Sequence, residues 1–369
     1  MRWRLVAIAA VVCLAWTAAG AVLLWPDSGD RDTNDEPAAS AAAIAGPTRD
    51  DALSPEPSEL DVSDPELGGD PSTSDQAASP APSPEASRFA VDRAEPPYRV
   101  SPKLKRPPSA GLLFDVDSGE VLWAHRPEIR RPIASLTKMM TALLIAERHR
   151  PGERVLVSRK AVGVEGSRIG VLRAGRRVPL RGLFAGLILA SGNDAAAALA
   201  RHDAGSIAAF VARMNERAAE LGLECTRFAG PSGLQDRGNR SCAYDLAALA
   251  RADLADRWVA ATVRRRALEL SFPVKGGTLS LANNHYFVQR GVPGVPGARV
   301  TGVKTGYTDG AGRCYVTSAR LGGAHLGVVL LDSEDPLRQV PALLRAGFVA
   351  QGVLAPGVAK RGPDPGRDR

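Results

Sequence analysis

The 369-residue sequence contains little lysine and few aromatic residues. Only seven of its 47 basic residues are lysine, so the other 40 are arginine. Arginine keeps its proton in proteins, whereas a buried lysine can lose it, so each retained lysine is a candidate for acid–base chemistry. Aromatic residues make up 5% of the chain and are not interleaved with a basic cluster. We therefore expect no nucleic-acid partner.

Cysteine and histidine are also scarce, with four and five residues. The chain has no C-x-x-C pair and no histidine–cysteine cluster with zinc spacing, so we expect neither a metal nor a cofactor. No serine lies in a G-x-S-x-G elbow and the histidines suggest no triad, which argues against a histidine-based hydrolase. Cys225 and Cys242 flank a Pro-Ser-Gly-Leu loop. They either pair, if the chain is exported, or remain buried thiols.

Charge is absent from one long stretch near the amino terminus. Residues 5–25 are 21 consecutive uncharged residues that follow Arg2 and Arg4. This length suffices for a helix to cross a bilayer. We predict a transmembrane anchor with the two arginines in the cytoplasm, which places the folded domain at the cell membrane on its extracytoplasmic side. A cleaved signal peptide is the alternative, with a candidate cleavage site at 19–21, but the apolar run continues to Trp25.

Large apolar side chains are rare between residues 26 and 100. This segment has 17 acidic and five basic residues and 12 of the 28 prolines, so we predict a disordered acidic linker. Residues 101–369 hold 40 basic and 23 acidic residues, a net charge of +17. Such an excess favours a nearby anionic surface, for example a membrane face or a cell-wall polymer. We predict one folded domain over 101–355 and a disordered tail over 356–369.

The predicted domain has strands at both ends and helices between them. The predicted strands are 110–116, 120–124, 153–161, 299–305, 314–320 and 326–331. The predicted helices are 135–148, 179–190, 194–201, 206–221, 244–253 and 336–349. This order indicates an α/β (α+β) fold in which helices cover one sheet that the two ends of the chain close.

Ser135 and Lys138 stand three residues apart at the start of a predicted helix. Residues at this spacing share a helix face, so the hydroxyl and the amine can touch. A neutral lysine can then remove the proton from a nucleophilic serine. Taken alone, the pair has an ordinary explanation, with Ser135 as the helix N-cap and Lys138 in solvent.

Two further motifs follow in the chain. Ser191 and Asn193 lie between two predicted helices, where each residue is also a common N-cap. Lys304, Thr305 and Gly306 lie at the end of an apolar strand, where the glycine permits close approach of another backbone. An ordinary strand and turn would explain this last motif equally well.

In this order, S-x-x-K, S-x-N and K-T-G resemble the motif set of the penicillin-recognising serine enzymes. The surrounding residues 134–141, 191–196 and 302–309 are similar to serine-type D-alanyl-D-alanine carboxypeptidases of the low-molecular-mass penicillin-binding kind. The resemblance covers roughly 101–350. It implies a β-lactamase/DD-peptidase-like fold with an antiparallel sheet. It also implies two binding partners, which are peptidoglycan stem peptides ending in D-Ala-D-Ala and β-lactam antibiotics.

The resemblance also implies a role for each motif residue. Ser135 would attack the substrate carbonyl, Lys138 would take its proton, and Ser191 would relay that proton to the leaving amine. The implied substrate-binding residues are Asn193 for an amide, Lys304 and Thr305 for the terminal carboxylate, Gly306, and Tyr307 through its backbone N–H. This N–H and that of Ser135 would form the oxyanion hole.

Three other functions remain open at this point. A D,D-endopeptidase acting on cross-links would share all three motifs. A β-lactamase of class A would carry a deacylating glutamate, but no Glu-x-x-x-Asn pattern lies between the second and third motifs. A non-catalytic penicillin-binding sensor is disfavoured because the motif serines and lysines are all present.

Overall fold

The computed structural model describes residues 83–93, 95–234 and 238–356. The predicted anchor of residues 5–25 lies outside this part, as do the predicted linker up to residue 82 and the predicted tail from residue 357. Within the described ranges, no helix is both long and apolar enough to cross a membrane.

The strands of the described chain are mostly short, and three long ones lie near the carboxyl end. Their bounds are β1 (Ala110–Asp115), β2 (Val121–His125), β3 (Arg131–Pro132), β4 (Arg154–Leu156), β5 (Arg177–Pro179), β6 (Arg240–Ser241), β7 (Ala267–Ser271), β8 (Thr278–Ala282), β9 (Arg299–Thr308), β10 (Gly312–Leu321) and β11 (Ala324–Leu331).

The helices occupy most of the chain between the two strand-rich ends. Their bounds are α1 (Pro84–Phe89), α2 (Lys138–Arg148), α3 (Arg159–Val162), α4 (Leu180–Ile188), α5 (Asn193–Ala204), α6 (Ile207–Glu220), α7 (Ala243–Ala255), α8 (Arg257–Val263), α9 (Tyr286–Arg290) and α10 (Pro336–Ala350). A 3₁₀ helix, Ala134–Thr137, leads directly into α2.

A five-stranded antiparallel sheet in the order β2-β1-β11-β10-β9 forms the centre of the fold. The first strand of the domain pairs with the last, with Ala110 opposite Leu331. This pairing confirms the prediction that the two ends of the chain close a single main sheet. Strand β9, which carries the K-T-G motif, lies at one edge of the sheet.

Both faces of the sheet are covered, and strand β11 is therefore buried along its whole length. Because side chains alternate across a strand, Val329 and Leu331 join the apolar cluster that contains the residues of α2, α4 and α5. Val328 and Leu330 join the second cluster, which α10 covers with Phe348 among others. The domain is thus three layers thick, with the S-x-x-K and S-x-N motifs in the helix-rich layer.

Two local predictions were wrong. The strand expected over 153–161 ends at Leu156, and α3 begins after Ser158, whose hydroxyl accepts the N–H of Ala161 at 3.1 Å. Disorder was expected up to residue 100, but α1 lies within that segment and buries Phe89 at 8% exposure. Its Glu85 pairs with Arg217 of α6, so the ordered domain begins earlier than predicted.

Candidate active site

The turn that carries Ser135 differs from a simple helix start. Ser135 lies in the 3₁₀ helix, and the α-helical hydrogen-bond pattern begins at Lys138. Ala134 before it has φ +45°, a conformation that few residues other than glycine adopt. The short 3₁₀ segment still places Ser135 Oγ 3.0 Å from Lys138 Nζ. The predicted contact between the two side chains is therefore present.

Lys138 is 1% exposed, and its amine has three hydrogen-bond acceptors around it. Nζ lies 2.7 Å from Asn193 Oδ1 and 2.6 Å from the carbonyl oxygen of Ser232, in addition to its contact with Ser135. A neutral amine has two N–H donors and one lone pair. It can donate to Asn193 and Ser232 and keep its lone pair for the Ser135 hydroxyl, which is the arrangement a general base requires.

The surroundings of Lys138 favour this neutral form. Burial lowers the pKa of Lys138 well below its ordinary value, and the nearby cation Lys304 lowers it further. Asp194 acts in the opposite direction and raises this pKa, but the two lowering effects outweigh it. The three direct partners of the amine are neutral, so no ion pair holds its proton.

Lys304 is the second buried lysine, at 3% exposure on β9. Its Nζ donates to Ser191 Oγ at 3.0 Å and to the carbonyl oxygen of Thr305 at 2.8 Å. Burial lowers the pKa of Lys304 to about 7. The group is thus a cation in mildly acidic solution, and an incoming carboxylate would stabilise that charge.

Ser191 lies in the turn before α5, with φ +56°, and Asn193 is the first residue of that helix. Asn193 donates from Nδ2 to the carbonyl oxygen of Glu165 at 2.7 Å while its Oδ1 accepts from Lys138. The asparagine predicted to bind a substrate amide therefore already bridges α2 to the loop that follows α3. One N–H of its amide group is left for a substrate.

Gly306 brings β9 against the serine. A Cβ added at this position would lie 2.8 Å from the backbone nitrogen of Ser135, so only glycine allows this approach. The next side chain, Tyr307, is 63% exposed, and its hydroxyl donates to Asp309 Oδ1 at 3.1 Å. Its predicted oxyanion role concerns its backbone N–H.

The sequence reasoning missed the loop residues Ser232 and Gly233. Ser232 supplies a carbonyl to Lys138, and a Cβ at Gly233 would lie 1.8 Å from the Ala134 carbonyl oxygen. The available signal was the Pro-Ser-Gly-Leu loop between two cysteines. The structure joins Cys225 and Cys242 in a disulfide with Cα atoms 5.6 Å apart, which closes the segment that holds this loop.

Thus a partly exposed serine contacts a buried lysine, and a second buried lysine contacts a second serine nearby. This arrangement defines the class of serine hydrolases in which lysine is the base. The family description for D-alanyl-D-alanine carboxypeptidases matches residues 101–335. The chain belongs to this family of serine-type peptidases, within the penicillin-recognising enzymes.

The chain is similar to several characterised relatives. It is 33% identical over 239 residues to the D-alanyl-D-alanine carboxypeptidase DacF of Bacillus subtilis, which covers 63% of this chain and 59% of the relative. It is 35% identical to DacB2 of Mycobacterium tuberculosis, over 61% of this chain and 75% of the relative. A D-alanyl-D-alanine endopeptidase of Pseudomonas aeruginosa is 30% identical, over 65% of this chain and 76% of that protein.

Solved structures have the same fold. A D-alanyl-D-alanine carboxypeptidase from Mycobacterium tuberculosis superposes with a TM-score of 0.62 at 29% identity, over 71% of this chain and 97% of that one. Penicillin binding protein 6B from Escherichia coli gives a TM-score of 0.60 at 32% identity, over 69% of this chain and 82% of that chain. The expected DD-peptidase fold is therefore confirmed.

Proposed function

We propose that this protein is an exported D-alanyl-D-alanine carboxypeptidase. It would remove the terminal D-Ala from peptidoglycan stem peptides through an acyl-enzyme on Ser135, and β-lactams would acylate the same serine. The single observation that supports this best is the contact of the buried Lys138 amine with Ser135 Oγ at 3.0 Å. The relatives that carry the carboxypeptidase name support the substrate class.

We propose the following first half of the reaction. Neutral Lys138 takes the hydroxyl proton as Ser135 Oγ attacks the carbonyl carbon of the penultimate D-Ala. Two backbone N–H groups, those of Ser135 and Tyr307, stabilise the oxyanion. Ser191 relays the proton to the leaving nitrogen, so D-Ala departs with a neutral amine and its carboxylate, and the acyl-enzyme remains on Ser135.

Lys304 supplies the selectivity for a free carboxyl end. As a cation, it would pair with the terminal carboxylate of the substrate, assisted by the hydroxyl of Thr305. A peptide without this carboxylate would leave Lys304 buried and without a counter-charge, which disfavours its binding. The same contact would hold the carboxylate of a β-lactam while Ser135 opens the ring.

Release of D-Ala tests the proposal directly. The full chain, purified in detergent, would be incubated with a pentapeptide ending in D-Ala-D-Ala, alongside Ser135→Ala and the exposed-strand control Ser271→Ala. We expect release by the wild type and the control, and none by Ser135→Ala. No release by the wild type would refute the carboxypeptidase function, and release by Ser135→Ala would refute the nucleophile.

Endopeptidase activity is the second candidate, because two relatives carry that name. A cross-linked stem-peptide dimer distinguishes the two activities in the same assay. The carboxypeptidase proposal predicts faster release of terminal D-Ala than cleavage of the cross-link. The reverse order would favour the endopeptidase. Rapid hydrolysis of benzylpenicillin would favour a β-lactamase.

The proposed location rests on the 21 uncharged residues after Arg4 and on the disulfide, a bond that persists outside the cytoplasm. We propose that residues 5–25 anchor the protein in the cell membrane with the folded domain outside. Protease added to intact spheroplasts should then digest the domain. Protection of the domain until the cells are lysed would contradict this placement.

A further inference from the structure

At the ends of α2 and α5 far from the active site, three side chains of metal-binding type converge. They are His149 directly after α2, Glu153 just before β4, and His202 in the last turn of α5. His149 Nδ1 lies 2.8 Å from Glu153 Oε2, and His202 Nε2 lies 3.2 Å from the same oxygen. The three candidate ligand atoms all lie within 4.8 Å of one another.

These separations suit one small divalent cation. Zinc binds histidine nitrogen and carboxylate oxygen at about 2.0–2.2 Å in tetrahedral geometry, which sets neighbouring ligand atoms about 3.3 Å apart. The two contacts to Glu153 Oε2, at 2.8 and 3.2 Å, need only small side-chain movements to reach that spacing. The side chains of His149, Glu153 and His202 are 14%, 36% and 24% exposed, so water can reach the fourth position.

A fourth side chain orients the first ligand. Asp203 Oδ1 lies 3.0 Å from His149 Nε2, and the Asp203 side chain is 1% exposed. A proton on Nε2 that is donated to this carboxylate leaves the lone pair of Nδ1 directed at Glu153, as in carboxylate–histidine–zinc arrangements. Arg148 and Arg213 also bind Asp203, at 2.7 and 2.5 Å, so this carboxylate is already engaged and acts on the site only through His149.

Glu153 is held in its anionic form. The backbone N–H of Arg150 donates to Oε1 at 2.7 Å and leaves Oε2 for the cluster. A metal would bind this deprotonated carboxylate together with two neutral histidines, so zinc would displace any proton on His149 Nδ1.

We propose that His149, Glu153 and His202 form a zinc site that joins the carboxyl-terminal ends of α2 and α5. The amino-terminal residues of the same two helices are Lys138 and Asn193, which contact each other at 2.7 Å. The two helices have 11 and 12 residues, so the zinc would lie roughly 15 Å from the active site. It would fix the relative position of the two helices at one end while the Lys138–Asn193 contact fixes it at the other.

Metal binding can be measured without any assay of catalysis. The full chain in detergent would be stripped with a chelator and titrated with zinc chloride by calorimetry, with bound zinc counted by mass spectrometry. Cobalt would replace zinc in a parallel sample, because its visible absorption reports tetrahedral coordination. The variants are His202→Gln and Glu153→Gln. The matched control is His125→Gln, since His125 lies on β2 outside the cluster.

We expect one zinc per wild-type chain, an intense cobalt spectrum, and a higher unfolding midpoint when zinc is added. The control should behave in the same way. Each cluster variant should unfold like the metal-free wild type and lose at least tenfold in zinc affinity. Absence of zinc binding by the wild type would overturn the proposal and leave an ion-pair cluster only. Equal binding by both cluster variants would also overturn it.

Discussion

A polar cluster lies at each end of the helix pair α2 and α5. The two clusters differ in whether their buried charged groups have a partner of opposite charge. At the amino-terminal end, Lys138 and Lys304 are buried with neutral hydrogen-bond partners. At the carboxyl-terminal end, Arg148 and Arg213 are each bound to the carboxylate of Asp203. Burial without a counter-charge lowers a lysine pKa, whereas pairing keeps an arginine and a carboxylate ionised. The first end is thus built for proton transfer and the second for holding helices together.

Of the predicted changes, replacement of Lys138, the proposed base, should slow the reaction most. Lys138→Arg keeps a positive charge at the active end but cannot deprotonate. We expect D-Ala release and labelling by a fluorescent penicillin to slow by about 10²–10⁴-fold, the usual contribution of a general base. The control is Lys160→Arg, at an exposed position on α3. A rate for Lys138→Arg within tenfold of the wild type would show that this lysine is not the base.

Gly306→Ala should give the second-largest loss of rate, because it disturbs the backbone beside Ser135 and leaves every charge in place. The added Cβ would lie 2.8 Å from the Ser135 nitrogen and push β9 away from the serine. Loss of one oxyanion donor costs about a hundredfold or more in rate. Pre-steady-state acylation would measure this effect. Gly323→Ala is the control, since nothing lies within 4 Å of its added Cβ. Equal acylation rates in both variants would contradict the proposed approach of β9.

The pH profile tests the buried charge of Lys304. Its pKa is about 7, lowered by burial, so it binds a carboxylate below this pH and loses its charge above it. We expect kcat/KM to fall about tenfold for each pH unit above that value. Lys304→Arg should abolish this alkaline decrease because arginine stays charged, whereas the exposed Lys103→Arg should retain it. An unchanged decrease in Lys304→Arg would assign it to another group.

The smallest effect on activity is expected from a substitution at the carboxyl-terminal end of α2 and α5. Arg213→Met removes one of the partners of the buried Asp203 carboxylate and leaves Arg148 in place. The free energy of unfolding should fall by about 1–2 kcal/mol, as measured by denaturant titration. The rate of D-Ala release per folded molecule should not change. Arg338→Met is the control, because the Arg338 side chain is 89% exposed and its ion pair with Asp335 contributes little. A change in the rate of D-Ala release without a change in the free energy of unfolding would contradict a purely structural role for the carboxyl-terminal cluster.

Several short helices and strands were not predicted from the sequence, for identifiable physical reasons. The hairpin of β7 and β8 carries apolar side chains at alternate positions, which is a valid strand signal, but each strand has only five residues. Helix α8 has seven residues and is specified mainly by its cap, where Asp256 Oδ1 accepts the N–H groups of Trp258 and Val259 at 2.8 Å. Such short elements depend on their neighbours more than on their own propensity.

The proposed zinc site has no counterpart in the local sequence pattern. The chain has no histidine–cysteine cluster with zinc spacing, which is why no metal was expected. His149 and Glu153 are only four residues apart, but they lie on either side of a turn that brings them together. His202 arrives from another helix, 49 residues beyond Glu153. No local pattern contains this information, because the docking of α2 against α5 creates the cluster.

By itself, the sequence determined the order of the three motifs, the strands at both ends of the domain and the identity of the two motif lysines in a chain whose basic residues are mostly arginine. These features are local, since hydrophobic periodicity and residue chemistry suffice to specify them. Only the tertiary structure decided that the Ser232 carbonyl and Asn193 accept from Lys138. It also placed Lys304 near enough to lower the pKa of Lys138. Burial and contacts between residues distant in the chain produce these effects, and they arise only once the layers pack.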